Sequence, residues 1–383
     1  MSVTAAPGFR ASGVTAGLKA SGAPDVALVV NDGPSFTAAG TFTSNKVVAA
    51  PVRWTRQVLK WQALKAVVLN SGGANACTGA EGFADTHHTA EHVAAGLTLA
   101  PIDIGVCSTG IIGERLPMPQ LLSGVEAAIA ALSPTGGHDA AVAIMTTDTV
   151  AKEAVSTQFG VTCGGMAKGA GMIAPGMATM LCVITTDAVL DPAGAQRSLN
   201  RAVDLTFNRI DSDGCMSTND TVLLLANGRS GKTLTEAQAT DVFGAVCEDL
   251  ARAMIADAEG ASKDILITVG GARTEREAVA VARAVARSNL FKCAMFGEDP
   301  NWGRIVSAAG TADAEFDADQ LSVVINGVTV CRDGAGYGDP SQADLRERDI
   351  VVEIGLGAGD AAGHVWTNDL TTEYVHENSA YST

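Results

Sequence analysis

The chain has 383 residues, 47% of them hydrophobic and only 4% aromatic. A large core must therefore be built from Ala, Val, Leu and Ile, as in helices packed on sheets, and the length fits two or three domains. A formal net charge of −16 opposes nucleic acid and anionic membrane surfaces.

Eight cysteines are scattered without a C-x-x-C pair, which suits a reducing cytoplasm and argues against a thiolate zinc site. The first residues lack the basic and apolar pattern of a secretory signal, and no uncharged apolar run is long enough for a membrane span.

Residues 26–30 and 65–70 are short β-rich runs, with an amphipathic helix expected between them at 52–64. A loop of small residues, 70–79, leads to a helix expected at 86–97. His88 and His92 are four apart there, but no carboxylate shell accompanies them, so no metal is expected. Residues 104–108 read as a buried strand. Thr109 and Gly110 at its end could present N–H groups and a hydroxyl to a developing oxyanion, or form a strand-to-helix turn with a threonine cap. A helix is expected at 118–132, then a Pro/Gly loop near 134–137. Met145-Thr146-Thr147-Asp148-Thr149 reads as a polar turn.

Residues 164–187, GGMAKGAGMIAPGMATMLCVITTD, organise the rest. A glycine-dense approach carries Lys168, Pro175-Gly176 makes a turn, and Thr179 stands just before an apolar strand at 181–185. Glycines let a substrate approach the main chain and a strand end holds a hydroxyl in place, so Thr179 is a candidate nucleophile. An ordinary β-branched residue leading a core strand is the competing reading.

Beyond it come helical periodicity over 192–209, a polar loop at 212–220, a strand at 221–226 and a long helix near 234–257 that ends at Glu259-Gly260. A strand at 265–269, a helix at 275–287 and a turn at 297–304 opening a short helix follow. Residues 321–330 read as a hairpin turning at Asn326-Gly327, and 350–355 and 363–367 as strands. Two motifs imitate nucleotide sites. In TVLLLANGRSGKT, residues 221–233, Ala226 stands where a phosphate-binding loop with Lys232 needs its first glycine. Gly169-Ala170-Gly171 fails as a dinucleotide fingerprint because Pro175-Gly176 prevents the helix that would bind the pyrophosphate.

The run from Lys168 to Leu181, with residues 70–79, 108–113, 145–149, 299–304 and 378–383 in order, resembles the glutamate N-acetyltransferase (ornithine acetyltransferase) family of arginine biosynthesis over essentially the whole chain. The resemblance implies an α/β fold of mixed β-sheets covered by helices in a layered sandwich. A smaller C-terminal α/β part is expected over about 270–383. It implies self-cleavage between Ala178 and Thr179 into chains 1–178 and 179–383, interleaved and assembled as an α2β2 heterotetramer. Thr179 is then the nucleophile, and Thr109 and Gly110 form the oxyanion hole. Thr146, Lys168, Thr179, Glu259, Asn378 and Thr383 match substrate-contacting positions.

The implied reaction moves acetyl from N2-acetylornithine to L-glutamate in a ping-pong cycle through O-acetyl-threonine. No cofactor is required, and acetyl-CoA is a further donor in some members. At Gly176 the family more often has a polar residue. A self-processing amidase or aminopeptidase that uses water as acceptor remains the alternative, and a nucleotide-binding module dependent on Lys232 a third.

Overall fold

The computed structural model describes residues 2–174 and 180–380, and three sheets carry its core. The first contains β1 (Phe9–Val14), β2 (Val26–Asn31), β4 (Ala66–Ser71) and β5 (Ile104–Thr109), in that order across the sheet. The β4–β5 pair is parallel and the others antiparallel. The second contains β3 (Thr37–Phe42), β6 (Lys152–Gln158), β7 (Val161–Lys168), β8 (Leu181–Thr186) and β9 (Thr221–Ala226). Its spatial order is β3-β9-β8-β7-β6, with only β8 and β9 parallel.

Both faces of the central strands β8 and β9 are buried, which is why they read as unbroken apolar runs. Val183, Leu223 and Leu225 turn towards the first sheet and share its core. Cys182, Ile184, Val222 and Leu224 turn the other way, onto α5 (Pro192–Leu205) and α6 (Glu236–Ala256), where Leu199, Val203, Phe243 and Leu250 meet them. Helices α2 (Gly79–Leu97) and α3 (Met118–Ala130) cover the outer face of the first sheet through Ala90, Val93, Leu121 and Val125. The result is helix, sheet, sheet, helix. Helix α1 (Ala50–Val58) packs beside β5, where Trp54 Nε1 donates to Ile104 O at 3.0 Å. Helix α4 (Gly137–Ala143) buries Ala140, Ala141 and Ala143 in the same core.

A separate core lies under the third sheet, built from β10 (Asp264–Ala272), β11 (Ser322–Ile325), β12 (Val328–Arg332), β13 (Ala335–Gly336), β14 (Asp349–Gly355) and β15 (Ala361–Asn368). Its order is β13-β12-β11-β14-β10-β15, and α7 (Glu275–Ala286), α8 (Asn289–Phe296) and α9 (Trp302–Ala309) pack on it. Asn326 and Gly327, with φ 45° and 81°, make the expected hairpin turn. Helix α10 (Thr372–Ala380) follows β15.

Several sequence expectations shift. The helix expected at 52–64 ends at Val58, because a 3-10 turn follows and Gln62 adopts φ 53°. Helix α2 starts well ahead of residue 86. Gly82, a poor helix former, suits this first turn because a Cβ there would lie 1.9 Å from Thr78 Oγ1. The largest correction concerns the glycine-dense approach. Gly164 and Gly165 lie inside β7, paired with β6 and β8. They serve close packing, since a Cβ on Gly164 would meet Ser2 O at 2.2 Å. The imitation phosphate loop is a turn ahead of α6, whose N-cap is Thr235 in a capping box with Gln238, and Lys232 is exposed.

Candidate active site

The C-terminal ends of β5 and β7 meet at one point. Strand β5 delivers Thr109 and Gly110. Gly110 takes φ 129°, and a Cβ on it would lie 2.5 Å from Gly73 N, so glycine is the residue this turn accepts. The turn is braced from two sides. Gly73 N donates to Thr109 O at 3.0 Å. Asn219 Nδ2 donates to Ser108 O at 2.8 Å and Ala74 O at 2.6 Å.

Strand β7 delivers Lys168, which is 1% exposed and donates from Nζ to Thr109 Oγ1 at 3.4 Å. A threonine hydroxyl that accepts from an ammonium keeps its own proton for another acceptor. The contact therefore leaves the Thr109 hydroxyl free to donate to a further acceptor.

A buried ionic chain fixes the lysine end of β7. Asp148 Oδ1 accepts from Lys152 Nζ at 2.7 Å and from Gly169 N at 2.6 Å, and its Oδ2 accepts from Thr146 N at 2.9 Å. Lys152 Nζ also donates to Asp257 Oδ2 at 2.6 Å. Asp257 caps the C-terminal end of α6. Two residues further on, Glu259 N donates to Ala170 O at 3.0 Å. The Glu259 carboxylate lies where a Cβ on Gly171 would stand, 2.5 Å from it. From α10, Asn378 Nδ2 donates to Glu259 Oε2 at 3.0 Å.

The segment 169–171 thus joins two groups, Thr109, Lys168 and Thr146 on one side and Glu259 with Asn378 on the other. Ala178, Thr179 and Thr383 lie outside the described residues. The register of β7 and β8 pairs Lys168 with Leu181, so the chain carrying Ala178 and Thr179 leaves and returns at this end of the sheet.

Charge at this end is unusual for an interior. Burial would raise Asp148, but the charges of Lys168 and Lys152 and the hydrogen bonds from Lys152 and the Thr146 amide bring it down to about 2. Burial lowers Lys168, opposed by the attraction of Asp148, Asp220 and Glu259. Burial pushes the fully enclosed Asp220 well above the usual carboxylate range. Asp220 precedes β9, and its Oδ1 accepts from Met180 N at 3.0 Å.

A cavity of about 540 Å³ opens beside Thr149, Asp257, Glu259, Arg348 and Glu377. A second, of about 170 Å³, lies on another side of Glu259, lined by Asp213, Arg287, Lys292 and Tyr374. The carboxylate is thereby presented to two openings, where an ammonium group would find charge.

Asp148, Lys152, Asp220 and Asp257 were not singled out in the sequence. Asp148 stands inside the 145–149 motif, and Asn219-Asp220 closes the polar loop before β9, but neither spacing betrays a partner. Lys152 and Asp257 are 105 residues apart. Among the described residues no cluster of His, Cys, Asp and Glu could hold a metal, and no helix is long and apolar enough to cross a membrane.

The fold is a layered α/β one, and the comparisons with known proteins give the class, a transferase of arginine biosynthesis. A family model described as the ArgJ family matches residues 10–383. The chain is 60% identical over 382 residues, covering 100% of both sequences, to "Arginine biosynthesis bifunctional protein ArgJ" of Streptomyces coelicolor. It is 53% identical to the protein of that name from Mycobacterium tuberculosis, over 99% of this chain and 96% of that one. The chain belongs to the ArgJ family and is an enzyme of arginine biosynthesis.

Among solved structures, the bifunctional protein argJ of Bacillus halodurans is 35% identical, with a TM-score of 0.50 over 51% of this chain and 97% of that one. Ornithine acetyltransferase of Mycobacterium tuberculosis, complexed with ornithine, is 55% identical, with a TM-score of 0.42 over 45% of this chain and 94% of that one.

Proposed function

We propose that the chain cuts itself between Ala178 and Thr179 and that Thr179 then carries an acetyl group from N2-acetylornithine to L-glutamate, giving ornithine and N-acetylglutamate. The observation that carries this reading is the contact between Lys168 Nζ and Thr109 Oγ1 at the end of the hairpin whose connection holds residues 178 and 179. The reading assigns this buried, charged donor pair to the two acyl oxyanions of the scheme, first that of Ala178 and later that of the acetyl group.

In the first step the Thr179 hydroxyl attacks the Ala178 carbonyl, the C–N bond breaks, and the hydroxyl proton ends on the released nitrogen. Water then hydrolyses the ester. The new α-amine, with an ordinary pKa of about 7.7–8.0, serves as the base for its own hydroxyl. In the second stage Thr179 Oγ takes acetyl from acetylornithine, whose amine leaves with the proton. The amine of glutamate then attacks the ester and restores the hydroxyl. Lys168 and Thr146 face the carboxylate end of either substrate, and Glu259, steadied by Asn378, takes an ammonium. Thr383 completes the contacts.

The Bacillus halodurans chain supports a cut, because nearly all of it matches only about half of this one. The word bifunctional in the relatives' names supports a second activity, acetylation of glutamate from acetyl-CoA. By the resemblance, the fragments assemble as an α2β2 heterotetramer, in the cytoplasm.

Denaturing electrophoresis with N-terminal sequencing tests the reading. Two bands, the shorter-numbered ending at Ala178 and the other beginning at Thr179, are expected from active enzyme. Full activity from a single 383-residue chain would overturn it.

A further inference from the structure

Two buried lysines lie near Asp148, and only one of them holds it. Lys152 and Lys168 stand on adjacent strands of the second sheet, with Lys152 opposite Ala167 in the β6–β7 pairing. Side chains alternate along a strand, so the two lysines leave the sheet on opposite faces. Lys152 emerges with Ala154 and Ala167 on the side of α6, and Lys168 with Met166 on the side of the first sheet, where Thr109 ends β5. The charges of both act on Asp148.

The side chains of Asp148 and Lys152 are 0% exposed. Lys152 Nζ donates to Asp148 Oδ1 at 2.7 Å, to Asp257 Oδ2 at 2.6 Å and to Val150 O at 3.5 Å, which uses the three donors of an ammonium. Asp257 is itself held by Thr149 N at 3.0 Å and closely by the Thr149 hydroxyl. Lys168 makes no ion pair with Asp148 among the described residues, and its Nζ donates instead to a neutral hydroxyl, Thr109 Oγ1, at 3.4 Å.

An ammonium gains more from a carboxylate at ion-pair distance than from a long contact with a hydroxyl, and a buried carboxylate that loses its cation is left uncompensated. We propose that Lys152 is a positioning residue: by saturating Asp148 it keeps Lys168 Nζ from closing on that carboxylate and so leaves it at Thr109 Oγ1. Asp257 serves the arrangement by fixing Lys152 from the end of α6.

The consequence is specific. The flexible stem of Lys168 allows a change of partner, so in Lys152→Met it turns to Asp148 and the Thr109 hydroxyl loses its donor. Combined with Asp148→Asn, the same substitution leaves no carboxylate to draw Lys168 away, and the Thr109 contact returns. Asp257, left behind in both cases, lines the larger cavity and meets solvent there. Removing a second charge thus repairs the loss caused by removing the first.

The inference rests on the acetyl-transfer reading, and the test separates the two. Transfer from N2-acetylornithine to glutamate is measured as kcat/KM per folded molecule, with thermal denaturation giving the folded fraction, in wild type, Lys168→Met, Lys152→Met, Asp148→Asn and the double variant of the last two. Lys152→Met is expected to lose about 10²-fold, the range for one charge-stabilising group, and the double variant to regain about tenfold of that. Lys152→Arg, which returns a cation to Asp148, should stay within about tenfold of wild type.

A double variant no more active per folded molecule than Lys152→Met overturns the inference, as does Lys152→Met at wild-type activity. If Lys152→Met fails to fold, Lys152→Gln, which keeps donors for both carboxylates without the charge, takes its place in the same comparison and decides in the same way. Wild-type activity in Lys168→Met removes the role of Lys168 in the acetyl-transfer reading instead.

Discussion

Lys168 and Lys292 are both driven into the interior, and their surroundings differ in kind. Lys292, on α8, is 5% exposed. Its Nζ donates to Ser212 O at 2.7 Å, to Thr367 Oγ1 at 3.1 Å and closely to Asn368 O. Three acceptors use the three donors of an ammonium, so the side chain bolts the third sheet to the loop before β9 and has nothing left for a ligand. Lys168 is as deeply placed but makes one long hydrogen bond among the described residues, and is otherwise balanced at a distance by Asp148, Asp220 and Glu259. A saturated buried cation is structure; an unsaturated one in a charged pocket is a candidate for chemistry.

Lys168→Met is the sharpest way to break this contrast. It should lower kcat/KM for acetyl transfer by about 10²–10³-fold, the range for losing one charge-stabilising group, while the melting temperature barely moves. A large drop in melting temperature with activity per folded molecule retained would put Lys168 in the same class as Lys292. Lys292→Met should do the reverse. Stranding Ser212 O and Asn368 O should cost about 2–3 kcal/mol in urea denaturation, with kcat of the folded enzyme unchanged.

A smaller effect follows from Asp148. Its folded pKa of about 2 lies below the ordinary 3.8. The stabilisation it provides is therefore full above pH ~4 and disappears as the pH falls to ~2, amounting to roughly 2 kcal/mol. Denaturation of Asp148→Asn across that window should lack this acid-dependent loss, and a parallel pH curve would count against the buried chain as the support of Lys168. Arg346 and Asp344 pair on the surface with both side chains more than half exposed, at 79% and 52%. Arg346→Ala should leave the melting temperature within error, since solvent screens such a pair.

The fold was legible where a strand is buried on both faces or a turn has distinctive chemistry. Strands β2, β4, β5 and β9 read as apolar runs, and Asn326-Gly327 announced its hairpin. Strands β1 and β3, FRASGV and TAAGTF, went unread because their small residues have little intrinsic preference and owe their form to the neighbours they pair with. Gly164 and Gly165 misled for the opposite reason, since glycine in a strand looks like a break until the backbone it admits is seen.

At the site, Thr109 and Gly110 stood out as a strand end that could serve an oxyanion, while Thr146, Lys168, Glu259 and Asn378 came from a resemblance in several motifs together, none of them distinctive alone. The acids that hold those residues could not be found in this way. Asp148, Asp257 and Asp220 act across long gaps in sequence, and a lone aspartate before a strand or after a helix usually means a cap.

The order of the second sheet carries a further consequence. Strands β3, β6 and β7 precede the proposed cut and β8 and β9 follow it, yet the spatial order is β3-β9-β8-β7-β6, so the later pair is enclosed on both sides by the earlier three. While the chain is whole, folding is a unimolecular event. Once it is cut, recovery from denaturation needs an encounter between two polypeptides, and its rate should fall on dilution. The cut would thus act as a ratchet: the sheet is woven by one molecule, and its reassembly then depends on concentration.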